Sequence, residues 1–586
     1  MKITPLQGAG GGPGRSSSTE PKKVLFTSIC RPLGEAHGDS PSVGYELLFG
    51  QVTREQGLFS PRATHIFFSL EYVAQNLDAA CTVLQYPSKR ELIRELRRGD
   101  FDVVGVSFVL ATFHRMKEVV ALVREHAPRA KIVLGGYGTV LSDEVLAPLS
   151  DAICREEGVA FMREYLGEAP LPMPFEHPLI VSKLRVFGQD VSNTGLVFAG
   201  LGCPNGCDFC CTSHFFKRKH IKLLPTGADI HGVVRRYLDR DPGMSLTILD
   251  EDFLLDRKRA MAFRDEVLRD GRPLSIFCFA SVKALSRYTV HELLEMGIDG
   301  VWIGYEGTRS GYGKQEGREV AELFRELRAH GITILASMIV GFPYQTPAII
   351  QEELDGLLAL EPTYTQFLIY GPTPGTPFYE KVMEEGLLHQ EQVDDPEGYY
   401  RNCAGFKAMV KHPVMEPAAI EAAQRHCYRE DFRRLGPSIV RSVETYLNGY
   451  RALKNAKTPL LRAKARRFAE GARHAYPVLL SARLLAPTRA GRQRAGRLAR
   501  ALRDELGAGG WKDRALSGAL LGAAAWTGLT LKAGLFQHPR LIRHEHPGRW
   551  RSRPAASTFL GDEVGSDRGR PRRAAGAASA ALVAGL

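Results

Sequence analysis

The first 22 residues of this 586-residue chain contain no apolar core of the kind a secretory leader carries. They are rich in Gly, Ser and Pro, which predicts a flexible lead-in and a cytoplasmic protein. Long apolar runs are also scarce: residues 515–531 are uncharged and rich in Ala and Gly, but seventeen residues fall short of a membrane span. The basic C-terminal stretches lack interleaved aromatics for base stacking, and no RNA-binding module is recognisable, which counts against nucleic acid as a partner. Outside one run the cysteines are scattered, with Cys278, Cys403 and Cys427 each alone. A closed zinc site draws a second ligand pair from further along the chain, and these single residues supply none.

What is present is concentrated in Gly202-Cys203-Pro204-Asn205-Gly206-Cys207-Asp208-Phe209-Cys210-Cys211. A cubane iron-sulfur cluster has four irons, commonly closed by four thiolates. Three thiolates, separated by three residues and then two, leave one iron open to a ligand that is not protein. Cys211 is a poor fourth ligand, because adjacent cysteines point different ways. A zinc knuckle and purely structural thiols are the blander readings. Ten cysteines, three of them needed as thiolates, argue for a reducing compartment rather than disulfides.

Residues 190–380 read as alternating strand and helix. Apolar runs at 195–199, 245–249, 275–280, 300–304, 333–340 and 365–370 are separated by amphipathic stretches near 227–239, 257–269, 317–330 and 347–359, with a shorter helix at 290–295. Six βα units with parallel strands predict a partial TIM-type barrel, with ligands at the carboxyl ends of its strands. Cys203 follows the first strand. Asp250-Glu251-Asp252-Phe253 follows the second, where acids serve either an ammonium group or a helix N-terminus. Ser281 ends the third strand, and Glu306 in Gly304-Tyr305-Glu306-Gly307 ends the fourth. Gly341-Phe342-Pro343 ends the fifth, and the rigid loop 371–377 ends the sixth.

The cysteine spacing, followed in order by Val340-Gly341-Phe342-Pro343 and Pro374-Gly375-Thr376-Pro377, resembles the radical S-adenosylmethionine (SAM) superfamily. The likeness is strongest to its cobalamin-associated, class B methyltransferase-like group and covers about residues 23–430. It implies that Cys203, Cys207 and Cys210 hold a [4Fe-4S] cluster whose open iron is chelated by the amino and carboxylate groups of SAM. It implies SAM contacts from Phe209, Asp250, Glu251, Ser281, Glu306 and Gly341, with acids on the ammonium, Glu306 on the ribose and Gly341 backbone against the adenine. Asp-Glu-Asp stands where relatives often carry Asp-Asp-Asn. One electron, from a reductant such as flavodoxin or ferredoxin, then cleaves SAM to a 5′-deoxyadenosyl radical.

Residues 23–168 carry a second α/β pattern, with strands at 23–29, 81–86, 103–108, 131–135 and 152–155. It predicts a doubly wound, Rossmann-like sheet with a crevice at its carboxyl edge, where Ser107, Phe108, Gly135 and Gly136 lie. Directly before such a barrel, these segments resemble the cobalamin-binding domain of the same group, which implies that those four residues contact cobalamin. The mutase fingerprint Asp-x-His-x-x-Gly is absent; His37 and Gly38 lack its Asp and spacing, so no histidine is expected below the cobalt. Arg155-Glu156-Glu157-Gly158 departs from the Gly-Glu-Gly-Glu of relatives.

The resemblance implies methylation of an unactivated carbon, or phosphorus, of a small-molecule or lipid substrate. Three alternatives stand beside it: a ring-forming or rearranging radical SAM enzyme, an RNA-modifying one, and a non-enzymatic cobalamin sensor. Residues 451–586 hold 27 Lys plus Arg against 8 Asp plus Glu, so with a net charge of +12 overall the first 450 residues carry about 7 net negative charges. Arg462, Lys464, Arg466, Arg467 and Arg473 alternate with Leu461, Phe468 and Tyr476, and 489–500 is a second basic run. Such a tail suits contact with an anionic inner membrane face, packing on the barrel with a solvated basic side, or RNA phosphates. The expected units are a lead-in (1–22), a cobalamin domain (23–168), a radical SAM core (190–385), a helical extension (386–450), a basic helical region (451–550) and a disordered tail (551–586).

Overall fold

The computed structural model describes residues 22–41, 43, 48–63, 66–507, 509–533, 540–548 and 559–560. The expected lead-in and disordered tail lie outside the described residues, apart from residues 22, 559 and 560. In chain order the main strands are β1 (Lys23–Thr27), β2 (Ala80–Gln85), β3 (Val103–Ser107), β4 (Lys131–Gly135) and β5 (Ala152–Ile153). Then come β6 (Leu179–Val186), β7 (Gln189–Val197), β8 (Ser245–Ile248) and β9 (Ile276–Phe279). β10 (Ile298–Glu306), β11 (Thr333–Val340), β12 (Tyr364–Ile369) and β13 (Ile542–His546) complete the set.

β1 to β5 form a parallel sheet in the order β2-β1-β3-β4-β5. β3, Val-Val-Gly-Val-Ser, is buried along its whole length, as a central parallel strand covered on both faces must be. The order reverses between β1 and β3, so their carboxyl ends splay apart into the crevice expected of a doubly wound sheet. β7 to β12 are parallel and follow one another in sequence order, which makes the six-stranded partial barrel. Its helices include Gly227–Leu238, Arg257–Asp270, Val320–Ala329 and Pro347–Ala359, close to the amphipathic stretches of the sequence.

Two features depart from the sequence pattern. β6 pairs antiparallel with β7 through Phe187 and Gly188, both at positive φ, so the barrel opens on a hairpin that begins before residue 190. β13 leaves the basic region and pairs antiparallel with β2 at the edge of the first sheet. Its His544 and His546 meet the buried Glu71 carboxylate at 2.8 and 3.0 Å. Ile-Arg-His-Glu-His has no strand signature of its own; an open parallel edge supplies the pairing.

Helices that follow the barrel pack against it, and two cations of the basic tail turn inward. From the helix Pro459–Leu485, Lys464 donates to the Leu274 and Gly297 carbonyls and to Asp299 Oδ2 at 2.8 Å, in the turns that lead into β9 and β10. Arg467 donates to the Gly243 and Met244 carbonyls just before β8, each at 2.8 Å, while Leu461 and Phe468 are buried. These cations act as caps on strand-entry carbonyls. Lys464→Met strands the buried Asp299 carboxylate and is expected to lower stability by about 3–5 kcal/mol, with part regained in the Lys464→Met/Asp299→Leu double variant. Urea unfolding of the two variants measures both.

Candidate active site

The cysteine loop crosses the carboxyl end of β7. Gly202 and Gly206 take positive φ there, and a Cβ on Gly202 would run into the Lys219 backbone carbonyl, so the bend favours glycine. Ser213 fastens the loop: its Oγ donates to the Cys203 carbonyl at 2.6 Å and accepts from the Gly206 amide at 3.0 Å. His214 Nε2 lies 3.0 Å from the Cys207 carbonyl oxygen.

Burial pushes the Cys203 thiol up to about 12 and Cys207 up to about 11, and Cys210 is raised by the same cause. The three also raise one another where they face each other. Three thiols, two buried and one half-buried, whose ionisation is suppressed by burial and mutual repulsion fit a centre whose positive charge offsets three thiolates. Among the described residues no three His, Cys, Asp or Glu side chains are set to hold a single metal ion. Cys211 faces away from this set, into a cavity that also contains Cys403.

Asp208, unread in the sequence, clamps the loop to the barrel by accepting from Tyr312 Oη at 2.6 Å and Tyr370 Oη at 2.8 Å. Phe209 sits edge-on to Tyr312 and Tyr370, with the Lys314 ammonium 5.7 Å from its ring centre. Glu306 holds positive φ at the end of β10 and pairs with Lys314. Burial alone lowers the Lys314 pKa, but Glu306 and the neighbouring Cys207 and Cys210 raise it, so the ammonium stays protonated against the cluster loop.

The three acids after β8 part company. Asp250 is fully buried and committed to Arg259 and His220, which hold it below the usual carboxylate range despite its burial. Its other oxygen, Oδ1, is buried without a partner. Asp252 accepts from Asn205 Nδ2 at 3.1 Å, inside the cysteine run, and from the Ser281 amide at 3.3 Å. Ser281 Oγ also caps the helix Val282–Leu285. Glu251 accepts from Tyr137 Oη at 3.3 Å, while its Oε2 is buried without a partner. Burial pushes this carboxyl up to about 7.

Gly341 has the positive φ expected of its bend, held by Gln345 Oε1, which accepts from the Gly341 and Phe342 amides at 2.6 and 3.0 Å. The close approach it permits is to Ile420, 3.1 Å from where a Cβ would lie.

Two cavities of about 370 Å³ each lie beside this loop. The first lies between the crevice of the N-terminal sheet and the barrel. Ser107, Phe108, Gly135 and Gly136 line it from one side, Phe215 and Phe216 from the other. A Cβ on Gly136 would lie 2.5 Å from the Phe108 carbonyl oxygen, whereas one on Gly135 meets no atom within 4 Å and points into open space.

Residues 60–166 match the family model of the B12 binding domain. The chain carries a B12 binding domain. The matched stretch omits β1, which lies hydrogen-bonded between β2 and β3 in the same sheet. An uncharacterized methyltransferase of Pyrococcus horikoshii is 21% identical over 342 residues, covering 51% of this chain and 73% of that protein. The radical S-adenosylmethionine methyltransferase TsrM from Kitasatospora setae, solved with cobalamin and a [4Fe-4S] cluster, aligns at 15% identity and a TM-score of 0.47, covering 71% of this chain and 82% of that one. The same protein with tryptophan and a SAM analogue aligns at 14% identity and a TM-score of 0.48, covering 88% of this chain and 100% of that one.

The second cavity abuts the first across a wall that includes Phe67, Val109 and Tyr137, residues that line both. Leu33, Leu110, Thr112, Thr212 and Thr373 contribute to it, and no described lining residue carries a charge. Cysteine loop, B12 cavity and uncharged cavity thus share one interface between sheet and barrel.

Proposed function

We propose that this chain is a cobalamin-dependent radical SAM enzyme that methylates an unactivated carbon of a small, uncharged substrate. One observation carries the reading: three thiols of a single loop, two buried and one half-buried, lie at the carboxyl end of a partial barrel, and the crevice cavity of a B12 binding domain is lined by residues flanking that loop. When bound, the [4Fe-4S] cluster supplies the electron that cleaves SAM, and cobalamin carries the methyl group.

The residues bind, orient and seclude. Cys203, Cys207 and Cys210 hold the cluster, and Asp208 fixes their loop through two tyrosines. Asp252, beside Asn205, is the acid placed to receive an ammonium group. Lys314 offers the opposite charge to a carboxylate, and Glu306 accepts from ribose hydroxyls once Lys314 turns to the cosubstrate. Phe209 and the tyrosines around it keep water from the cleavage site.

The uncharged cavity suits a substrate with an apolar body and hydroxyl or carbonyl contacts, a small molecule or the head of a lipid. Phosphates of RNA would need cations at this cavity, and no Lys or Arg lines it among the described residues. The electron comes from a one-electron protein donor such as flavodoxin or ferredoxin.

Anaerobically reconstituted protein, given dithionite, SAM and cobalamin, is expected to release 5′-deoxyadenosine. Extracts of cells carrying the gene are expected to contain a product heavier by one methylene than its counterpart in cells lacking it. Absence of deoxyadenosine would leave a cobalamin sensor; deoxyadenosine with a product of unchanged carbon count would make the enzyme a ring-forming or rearranging one.

A further inference from the structure

The helix Trp511–Lys532 covers the outside of the C-terminal helices and shows solvent a face that a monomer has no reason to expose. Trp511 is 75% exposed, Trp526 67% and Leu529 61%. At about 100° per residue, positions 511, 515, 522, 526 and 529 fall within a sector of about 60°. Ala515 and Gly522 between the large side chains are exposed as well, so the stripe is continuous. Ser517 and Ala524, on the opposite side, are buried against the fold. Trp511 and Leu529 stand about 27 Å apart along the axis at about 1.5 Å per residue.

We propose that this face seats the protein on the surface of an anionic lipid bilayer. Tryptophan is the side chain that settles at the level of lipid headgroups, and apolar stripes of this extent on soluble surfaces mark sites of contact. Lys512, Arg514 and Lys532 are exposed along the same helix. Its one acid, Asp513, is used at the helix start, where Oδ2 accepts from the Gly510 amide at 2.9 Å. No helix among the described residues is long and apolar enough to cross a membrane.

Charge selects this occupant over the two others. Residues 549–586 hold seven Arg against three acids, so the chain's own end carries the sign already present on the helix. A second copy of the helix would bring like charge to like charge. The surplus of basic over acidic residues across 451–586 adds long-range attraction to anionic headgroups. Within the basic region Lys464 and Arg467 are spent on barrel carbonyls, which leaves the contact to the later, weakly apolar helix. The proposal rests on this face alone and is independent of the catalytic reading.

The test uses the full chain with sucrose-loaded vesicles of phosphatidylcholine, alone or with about 30% phosphatidylglycerol, at about 0.1 M salt. The protein is expected to sediment with the anionic vesicles and stay in solution with the neutral ones. Two variants are compared at matched circular dichroism: Trp511→Ser/Trp526→Ser/Leu529→Ser, and Lys512→Gln/Arg514→Gln/Lys532→Gln. Each is expected to lose at least about tenfold in partition. Failure of the unsubstituted protein to sediment with anionic vesicles overturns the proposal, as does sedimentation of the serine variant at the unsubstituted level. A dimer in solution that the serine variant abolishes, without vesicle binding, assigns the face to a second copy. Vesicle binding that appears only after removal of 561–586 assigns it to the chain's own end.

Discussion

Cys207→Ala is expected to abolish both iron loading and release of 5′-deoxyadenosine, while binding of cobalamin and the thermal unfolding midpoint stay near those of the unsubstituted protein. Cys207 is buried in a loop whose shape depends on Ser213, Gly202 and Gly206, not on its own thiol. Removing the sulfur therefore takes away a ligand and leaves the scaffold. Cys203→Ala and Cys210→Ala are expected to behave alike, because a cluster held by two thiolates loses a second corner. Cys211→Ala is the contrast: that thiol faces the uncharged cavity, so iron content is expected to be unchanged. Iron and sulfide analysis with the visible absorption of the reconstituted protein measures the first effect. Retained deoxyadenosine release by Cys207→Ala would falsify the ligand set.

Gly135→Leu separates the other cofactor. The position has free space where its side chain would go, so the sheet accepts the residue, but the isobutyl group enters the B12 cavity. Cobalamin affinity is expected to fall by at least about tenfold, with iron loading intact. Gly136→Leu makes the complementary point: its positive φ and the Phe108 carbonyl at 2.5 Å leave no room for a Cβ, so this variant is expected to lose stability as well. Equilibrium binding followed by cobalamin absorbance, beside a denaturation curve, tells the two apart. Cobalamin binding by Gly135→Leu at the unsubstituted affinity would remove the crevice from the account.

Much of this site was legible because its parts are local. Cys203, Cys207 and Cys210 lie within eight consecutive residues, so a single turn brings them together whatever surrounds it. Strands β7 to β12 pair in the order in which they occur, and the apolar runs place them within a few residues. Ser107, Phe108, Gly135 and Gly136 end adjacent parallel strands, so their meeting at one crevice follows from strand order.

The acids after β8 were not separable in this way. Asp250, Glu251 and Asp252 are consecutive, and only the packing of Arg259 and His220 against the first, Tyr137 against the second and Asn205 against the third decides what each carboxylate meets. Asp208 stands out in no local pattern because its partners Tyr312 and Tyr370 are 104 and 162 residues away, and Lys314 meets Glu306 only because the chain turns back at the positive φ of Glu306.

From the amino acids alone came the cysteine trio, the two α/β patterns and the lopsided charge, each of which is contained in a short stretch or a simple count. The tertiary structure decided which cations of the tail turn inward onto strand-entry carbonyls, where β13 docks, and that an uncharged cavity lies between the B12 domain and the cysteine loop. Periodicity states which residues share a face of one element. Which face meets which partner is set by contacts between residues hundreds of positions apart, and those contacts exist only once the sheet, the barrel and the closing helices have packed.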